Sequence, residues 1–280
     1  VEPRSELVKL LKDSEIVFHL AAKHGGRGYI ATHPADVCSN MAIDNAILNA
    51  ALQAGVKKVI MASSACVYPP KLQIKGSDYP LKETDTDVTK LDEYLSADLE
   101  YGWAKVMGEM QLRAFYKQYG LKGASMRFVT AYGPRENETH AIIALIYKAL
   151  NRQDPFEVWG DGKQERDFTY VKDITSACLL AAKKVEGVEE FNVGTGRKYS
   201  IDEVISLIFQ NINWKPQKVF YNTSRPVGVY SRVLDITKIK EQLGWSPKYT
   251  LEEGLRITID WYKKHGNLKG ISERLLLERN

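Results

Sequence analysis

Two rhythms of apolar and polar positions alternate along this chain. Short apolar runs at residues 16–20, 58–62, 123–128, 156–159 and 191–194 read as strands. Between them, residues 5–13, 34–54, 94–119, 139–151, 173–184 and 251–265 carry apolar side chains at helical spacing. Ser5 suits an N-cap, with Leu7, Leu10 and Leu11 on one face behind it. Gly55 and Gly120 stop the second and third helical patterns. Ser200-Ile201-Asp202-Glu203 has the residue types of a capping box. Residues 70–93 mix Pro, Gly, Asp, Glu and Lys and read as a surface loop. Strands that alternate with helices predict an α/β fold with a doubly wound, parallel, Rossmann-type sheet.

Composition narrows the class. The 280 residues allow one large or two small domains with a sizeable core. Hydrophobic content of 44% and charged content of 26% are those of an ordinary soluble globular protein. A net charge of +4 without a basic block pulls weakly toward anionic ligands and leaves no nucleic-acid footprint. No apolar run approaches the roughly 18 residues of a membrane span, and no signal peptide opens the chain. Cys38, Cys66 and Cys178 are few and scattered, which argues for a reducing, cytoplasmic setting without a disulfide frame. His and Cys spacings match no zinc site.

The chemistry centres on two stretches. Ser63-Ser64-Ala65-Cys66-Val67-Tyr68-Pro69 leaves the strand at 58–62, and Tyr101 and Lys105 lie four apart in a helical pattern. That spacing puts both on one helix face. A fixed ammonium beside a phenol favours the phenolate, and a Ser64 hydroxyl can hold an alcohol against it. Such a group takes a proton from a carbinol while hydride leaves the same carbon. Read alone, the Tyr–Lys pair fits a surface pair equally well, and Cys66 fits a small buried space-filler.

Together these stretches resemble the extended short-chain dehydrogenase/reductase family of nucleotide-sugar epimerases. The resemblance covers about residues 16 to 265. It implies that Tyr101, Lys105 and Ser64 form a redox site. It further implies NAD as cofactor (NADP not excluded), held by Leu20, Ala21, Ala22, Lys23, Asn40, Ser63 and Phe128 along with Tyr101 and Lys105. Gly26, Thr130, Arg166 and Arg232 fall where the family binds the nucleotide-diphosphate sugar, the arginines at the diphosphate. Many relatives have Asn where Thr130 stands.

Cys66 separates branches of that family. Dehydratases and decarboxylases usually carry carboxylates in this loop, and simple 4-epimerases usually carry a small residue. GDP-mannose 3,5-epimerases and GDP-L-fucose synthases use Cys there, with a second acid across the sugar ring. Thr139-His140-Ala141-Ile142-Ile143-Ala144-Leu145 resembles the synthase segment that supplies a catalytic His; the epimerases have Lys there. His140 equally fits a helix-start residue facing phosphate or water. The expected activity is epimerisation at C3 and/or C5 of a GDP-sugar through a transient 4-ketone. Alternatives are a UDP-sugar 4-epimerase, an epimerase-reductase, or a silent nucleotide-sugar-binding relative.

Two further expectations follow from the resemblance. The run 16–20 ending in Ala21-Ala22 matches the fourth strand of the dinucleotide-binding sheet, so its first strands, about 50–60 residues, are expected ahead of Val1. Gly25-Gly26-x-Gly28 lacks the pyrophosphate-loop spacing, and Gly160-x-Gly162 and Gly194-x-Gly196 read as turns. The domain division expected is 1–134 plus about 166–193 for the cofactor, and about 135–165 plus 194–280 for a smaller, largely C-terminal substrate lobe. Relatives commonly form homodimers through the Tyr101 helix.

Overall fold

A computed structural model describes residues 5–86, 96–136 and 139–265. The expected helix start at 94 and the end of the 70–93 loop lie outside the described residues. The chain runs α1 (Ser5–Leu11), β1 (Ile16–His19), α2 (Arg27–Thr32), α3 (Pro34–Cys38), α4 (Asn40–Gln53), β2 (Lys58–Ser64), α5 (Leu99–Tyr119) and β3 (Lys122–Phe128). It continues with β4 (Thr130–Tyr132), α6 (Ala141–Leu150), β5 (Phe156–Trp159), β6 (Glu165–Arg166), β7 (Phe168–Tyr170), α7 (Val171–Lys184) and β8 (Val188–Val193). Last come β9 (Tyr199–Ser200), α8 (Ile201–Ile212), β10 (Val219–Asn222), β11 (Ser231–Arg232), α9 (Thr237–Leu243) and α10 (Leu251–His265).

The main sheet has the order β1-β2-β3-β8, all parallel. Both of its faces are covered, which is why β2 reads as a continuous apolar run. Val59 packs among Leu48, Leu112 and Leu121 from α4, α5 and the turn after α5. Its neighbour Ile60 points the other way, into a cluster with Met126, Ala177, Ala181 and Ile239. A separate apolar cluster joins Ile142 and Ile146 of α6, Phe156 of β5, Val204 and Ile208 of α8, and Leu255 and Ile259 of α10. The β1 side chains Ile16 and Phe18 are exposed. No helix among the described residues is long and apolar enough to cross a membrane.

The pattern 34–54 forms two helices rather than one. The Ser39 hydroxyl donates to the Asp36 carbonyl at 2.6 Å, taking the acceptor that a continuing helix would use. The break lets Asn40 turn to the β1 loop, where its amide accepts from the Lys23 N–H at 2.7 Å and donates to the Lys23 carbonyl at 2.9 Å. Ser200 and Glu203 form the expected capping box. The short elements α2, β10 and α9 are not predicted by the pattern.

One buried network fixes the floor of the site. Arg127 on β3 donates to Glu109 of α5 at 3.0 and 2.7 Å, to the Tyr68 hydroxyl at 3.1 Å, and to the Glu83 and Thr86 carbonyls at 2.9 and 3.1 Å. The Ser63 hydroxyl adds a 2.5 Å bond to Glu109. These bonds tie β2, β3 and α5 to the loop that follows β2.

Candidate active site

The carboxyl ends of β1, β2 and β3 lie side by side, with Ser64 in register with Phe128. Open parallel sheets bind ligands along this edge. Ser64 ends β2 and caps a short turn, its hydroxyl accepting from the Cys66 N–H at 3.1 Å. Helix α5 docks onto that turn: the Asp98 N–H donates to the Cys66 carbonyl at 2.8 Å. A side chain at Gly102 would clash with the same carbonyl, so glycine is required for the approach.

Tyr101 and Lys105 rise from α5 beneath this edge. Lys105 Nζ donates to the Ala62 carbonyl at 2.8 Å and lies 5.8 Å from the centroid of the Tyr101 ring. Ser64 hydrogen-bonds the Tyr101 oxygen. Spacing alone predicts that Lys105 favours the phenolate. In the structure burial dominates: it holds the Tyr101 phenol well above its ordinary range, Cys66 and Asp44 add to the rise, and only the Ser64 bond opposes it. Burial also pulls the Lys105 ammonium down, against Asp44, Glu109 and Cys66.

Cys66 faces a guanidinium cluster. Arg232 Nη1 lies 3.5 Å from its sulfur, while Nη2 donates to Asp98 at 3.0 Å and Nε binds Gln73. Arg27 grips the other Asp98 oxygen at 2.8 Å. Burial works against the Asp98 charge, yet Arg232 and Arg27 hold its carboxyl below the usual range. Burial likewise opposes the Arg232 charge, and Cys66 and Asp98 outweigh it. Arg166 is engaged differently from Arg232. Its guanidinium donates to the carbonyls of Glu165, Tyr230, Val227 and Val229 at 2.8, 3.1, 2.8 and 2.5 Å. Burial, reinforced by Arg232, lowers it to about 9.

His140 caps α6. Its Nδ1 meets Glu136 Oε1 at 2.6 Å, while Nε2 is buried without a partner. Burial raises the Glu136 carboxyl, and the His140 bond opposes that rise. Across from His140 stands a residue that sequence reasoning missed. The His24 ring lies 5.4 Å from the His140 ring, centroid to centroid. Packing, His140 and Lys105 all push the His24 imidazole below its ordinary value. The buried pair His19–Asp44, at 2.8 Å, was missed as well; Asp44 is one of the charges acting on Tyr101 and Lys105.

The remaining predicted residues are spread over several places. Leu20, Ala21, Ala22, Lys23 and Phe128 line the carboxyl edge, with Leu20, Ala21 and Lys23 exposed. Asn40 and Ser63 spend their side chains inward, on Lys23 and Glu109. Gly26 sits where a Cβ would lie 2.6 Å from the Thr139 carbonyl oxygen. Thr130 pairs with Phe168 between β4 and β7. The exposed edge beside Tyr101, Lys105 and Ser64 fits a nicotinamide cofactor. No cluster of metal-ligating side chains occurs among the described residues.

The model of the NAD dependent epimerase/dehydratase family matches residues 2–194. A GDP-mannose 3,5-epimerase of Arabidopsis thaliana is 32% identical over 263 residues, covering 92% of this chain and 67% of that protein. GDP-L-fucose synthase 1 of the same plant is 30% identical over 259 residues, covering 88% of this chain and 76% of that protein. Among solved structures, the UDP-glucose 4-epimerase of Thermotoga maritima with UDP-glucose superposes with a TM-score of 0.81 at 32% identity. That match covers 92% of this chain and 81% of the other.

Proposed function

The chain belongs to the NAD-dependent epimerase/dehydratase family, as a relative of nucleotide-sugar epimerases, and from that premise we propose that it epimerises a GDP-sugar at C3 and/or C5 through a transient 4-ketone. Leu20, Ala21, Ala22, Lys23, Phe128, Tyr101 and Lys105 would hold NAD along the sheet edge, with Asn40 and Ser63 bracing it from behind. NAD, when bound, would supply the hydride acceptor and donor for C4. Tyr101 accepts the 4-OH proton, with Ser64 holding the alcohol and Lys105 supplying fixed positive charge. A ketone at C4 acidifies the neighbouring C–H bonds. Cys66 and His140 then exchange protons with those carbons, on opposite ring faces. Tyr101 finally gives its proton back to the reduced oxygen.

One observation carries the reading: Cys66 sits on the turn that Ser64 caps at the end of β2, with Arg232 Nη1 3.5 Å from its sulfur. A thiol in the redox pocket has a task when carbon is ionised and none in a plain 4-epimerisation. The unpartnered Nε2 of His140 supplies a second acid/base. Arg232, Arg27 and Gly26 form the anion-facing side for the diphosphate, with Thr130 further along the substrate wall. Arg166 shapes that side by holding the carbonyls of the 227–230 loop. The likeness to UDP-glucose 4-epimerase favours a UDP-sugar 4-epimerase as the second reading.

Trp103, Met107 and Met110 expose apolar surface at helical spacing on α5. That stripe supports a homodimer through this helix. Residues 1–134 with about 166–193 as the cofactor unit, and the rest as the sugar-nucleotide lobe, are part of the same proposal. The unpaired thiols Cys38, Cys66 and Cys178 suit a cytoplasmic setting.

The test is product analysis. GDP-mannose and UDP-glucose are incubated separately with the protein and NAD, and the released sugars are identified by NMR. C3 or C5 epimers from GDP-mannose, lost in Cys66→Ala, are expected. A 4-epimer from UDP-glucose, made equally well by Cys66→Ala, would instead establish the second reading.

A further inference from the structure

We infer that His24 is a proton relay connecting bulk water to the buried Nε2 of His140. Three observations converge on it. His24 is exposed to solvent, whereas His140 Nε2 is buried and has no hydrogen-bond partner. The two rings stand 5.4 Å apart at an interplanar angle of 43°, a separation that a single bridging water can span. The approach is built into the backbone. Gly26 has no Cβ to push away the Thr139 carbonyl, so the loop after β1 closes against the start of α6.

The pair is asymmetric in a useful way. His140 leans on Glu136 through Nδ1 at 2.6 Å, which orients the ring and leaves Nε2 as its uncommitted nitrogen. His24 faces Lys105 and His140, both of which disfavour a second positive charge there. While His140 carries a proton, His24 is therefore held neutral. Once His140 has given its proton to the sugar carbon, the repulsion from His140 is gone. His24 then picks up a proton from water and passes one to His140 Nε2. The reverse sequence drains a proton that His140 has taken from carbon. Only N–H bonds are made and broken, and no oxidant or reductant is involved.

This inference rests on the reading of His140 as an acid/base, and its test separates the two. Exchange of the His140 ring N–H with water is measured by ¹⁵N NMR saturation transfer, without substrate, in the wild type and in His24→Phe. The substituted ring covers His140 but carries no exchangeable proton. Exchange should slow by about tenfold or more, the scale of a lost acid/base group, and His24→Gln should slow it similarly. Unchanged exchange in both variants overturns the relay. In D₂O with GDP-mannose and NAD, deuterium entry into the sugar should fall in His24→Phe and return on adding free imidazole. Loss without rescue by imidazole counts against the relay. If the wild type incorporates no deuterium, the epimerase reading fails and the NMR exchange alone decides the relay.

Discussion

Arg127 and His140 are both ionisable side chains paired to a glutamate inside the fold, and they are completed in opposite ways. Arg127 bonds Glu109 twice and spends its other donors on Tyr68 and on the Glu83 and Thr86 carbonyls. His140 makes one bond to Glu136, leaving His140 Nε2 and Glu136 Oε2 buried and unpartnered. A buried polar group without a partner costs stability, so a fold built only for stability would complete both. The first network fixes where β2, β3 and α5 meet. The second leaves a titratable ring nitrogen uncommitted, with His24 as the neighbouring ring.

Substitutions should split along that line. Arg127→Met strands Glu109 in the interior and should cost about 3–5 kcal/mol, read from urea unfolding. His140→Gln should cost only about 1 kcal/mol in the same assay, yet lower turnover by about 10²–10⁴-fold. Equal stability losses in the two variants would erase the distinction. Gly102→Ala drives a methyl group into the Cys66 carbonyl. It should destabilise by about 1–3 kcal/mol and slow turnover by displacing the thiol, seen as a joint change in melting and rate.

The smallest expected effect is in pH dependence. The fold holds the His24 imidazole below its ordinary value, so between that lowered value and about 6.5 the unfolded chain binds more protons than the folded one. Stability contributed by neutral His24 is complete above about 6.5 and is lost as the pH falls toward the folded value. His24→Phe should flatten that part of the melting-temperature profile, and an unaltered profile would mean that the fold does not lower the His24 imidazole.

How much was legible in the sequence follows from how local each feature is. The parallel α/β sheet is written in apolar runs and helical spacing. Tyr101, Lys105, Ser64 and Cys66 are readable because they fall in two short stretches. His24 was not, because its neighbour arrives through the close approach of Gly26 to Thr139, far along the chain. The raised Tyr101 phenol was missed because it comes first from burial, which spacing does not encode, with Cys66 and Asp44 adding to it. Arg166 reads as an anion ligand, and nothing in its neighbours in sequence reveals that its guanidinium also donates to carbonyls of the 227–230 loop. The break at Ser39 was hidden because Ser is tolerated in a helix until its hydroxyl takes a backbone acceptor.

The most direct test of the proposed chemistry is solvent isotope entry at carbon. The protein and its Cys66→Ala variant are incubated with GDP-mannose and NAD in D₂O, and the recovered sugar nucleotide is weighed by mass spectrometry. Deuterium at C3 or C5 with the wild type, and none with Cys66→Ala, is the predicted result. An altered sugar without deuterium, formed equally by both proteins, would contradict ionisation at carbon and leave hydride transfer at C4 as the whole reaction.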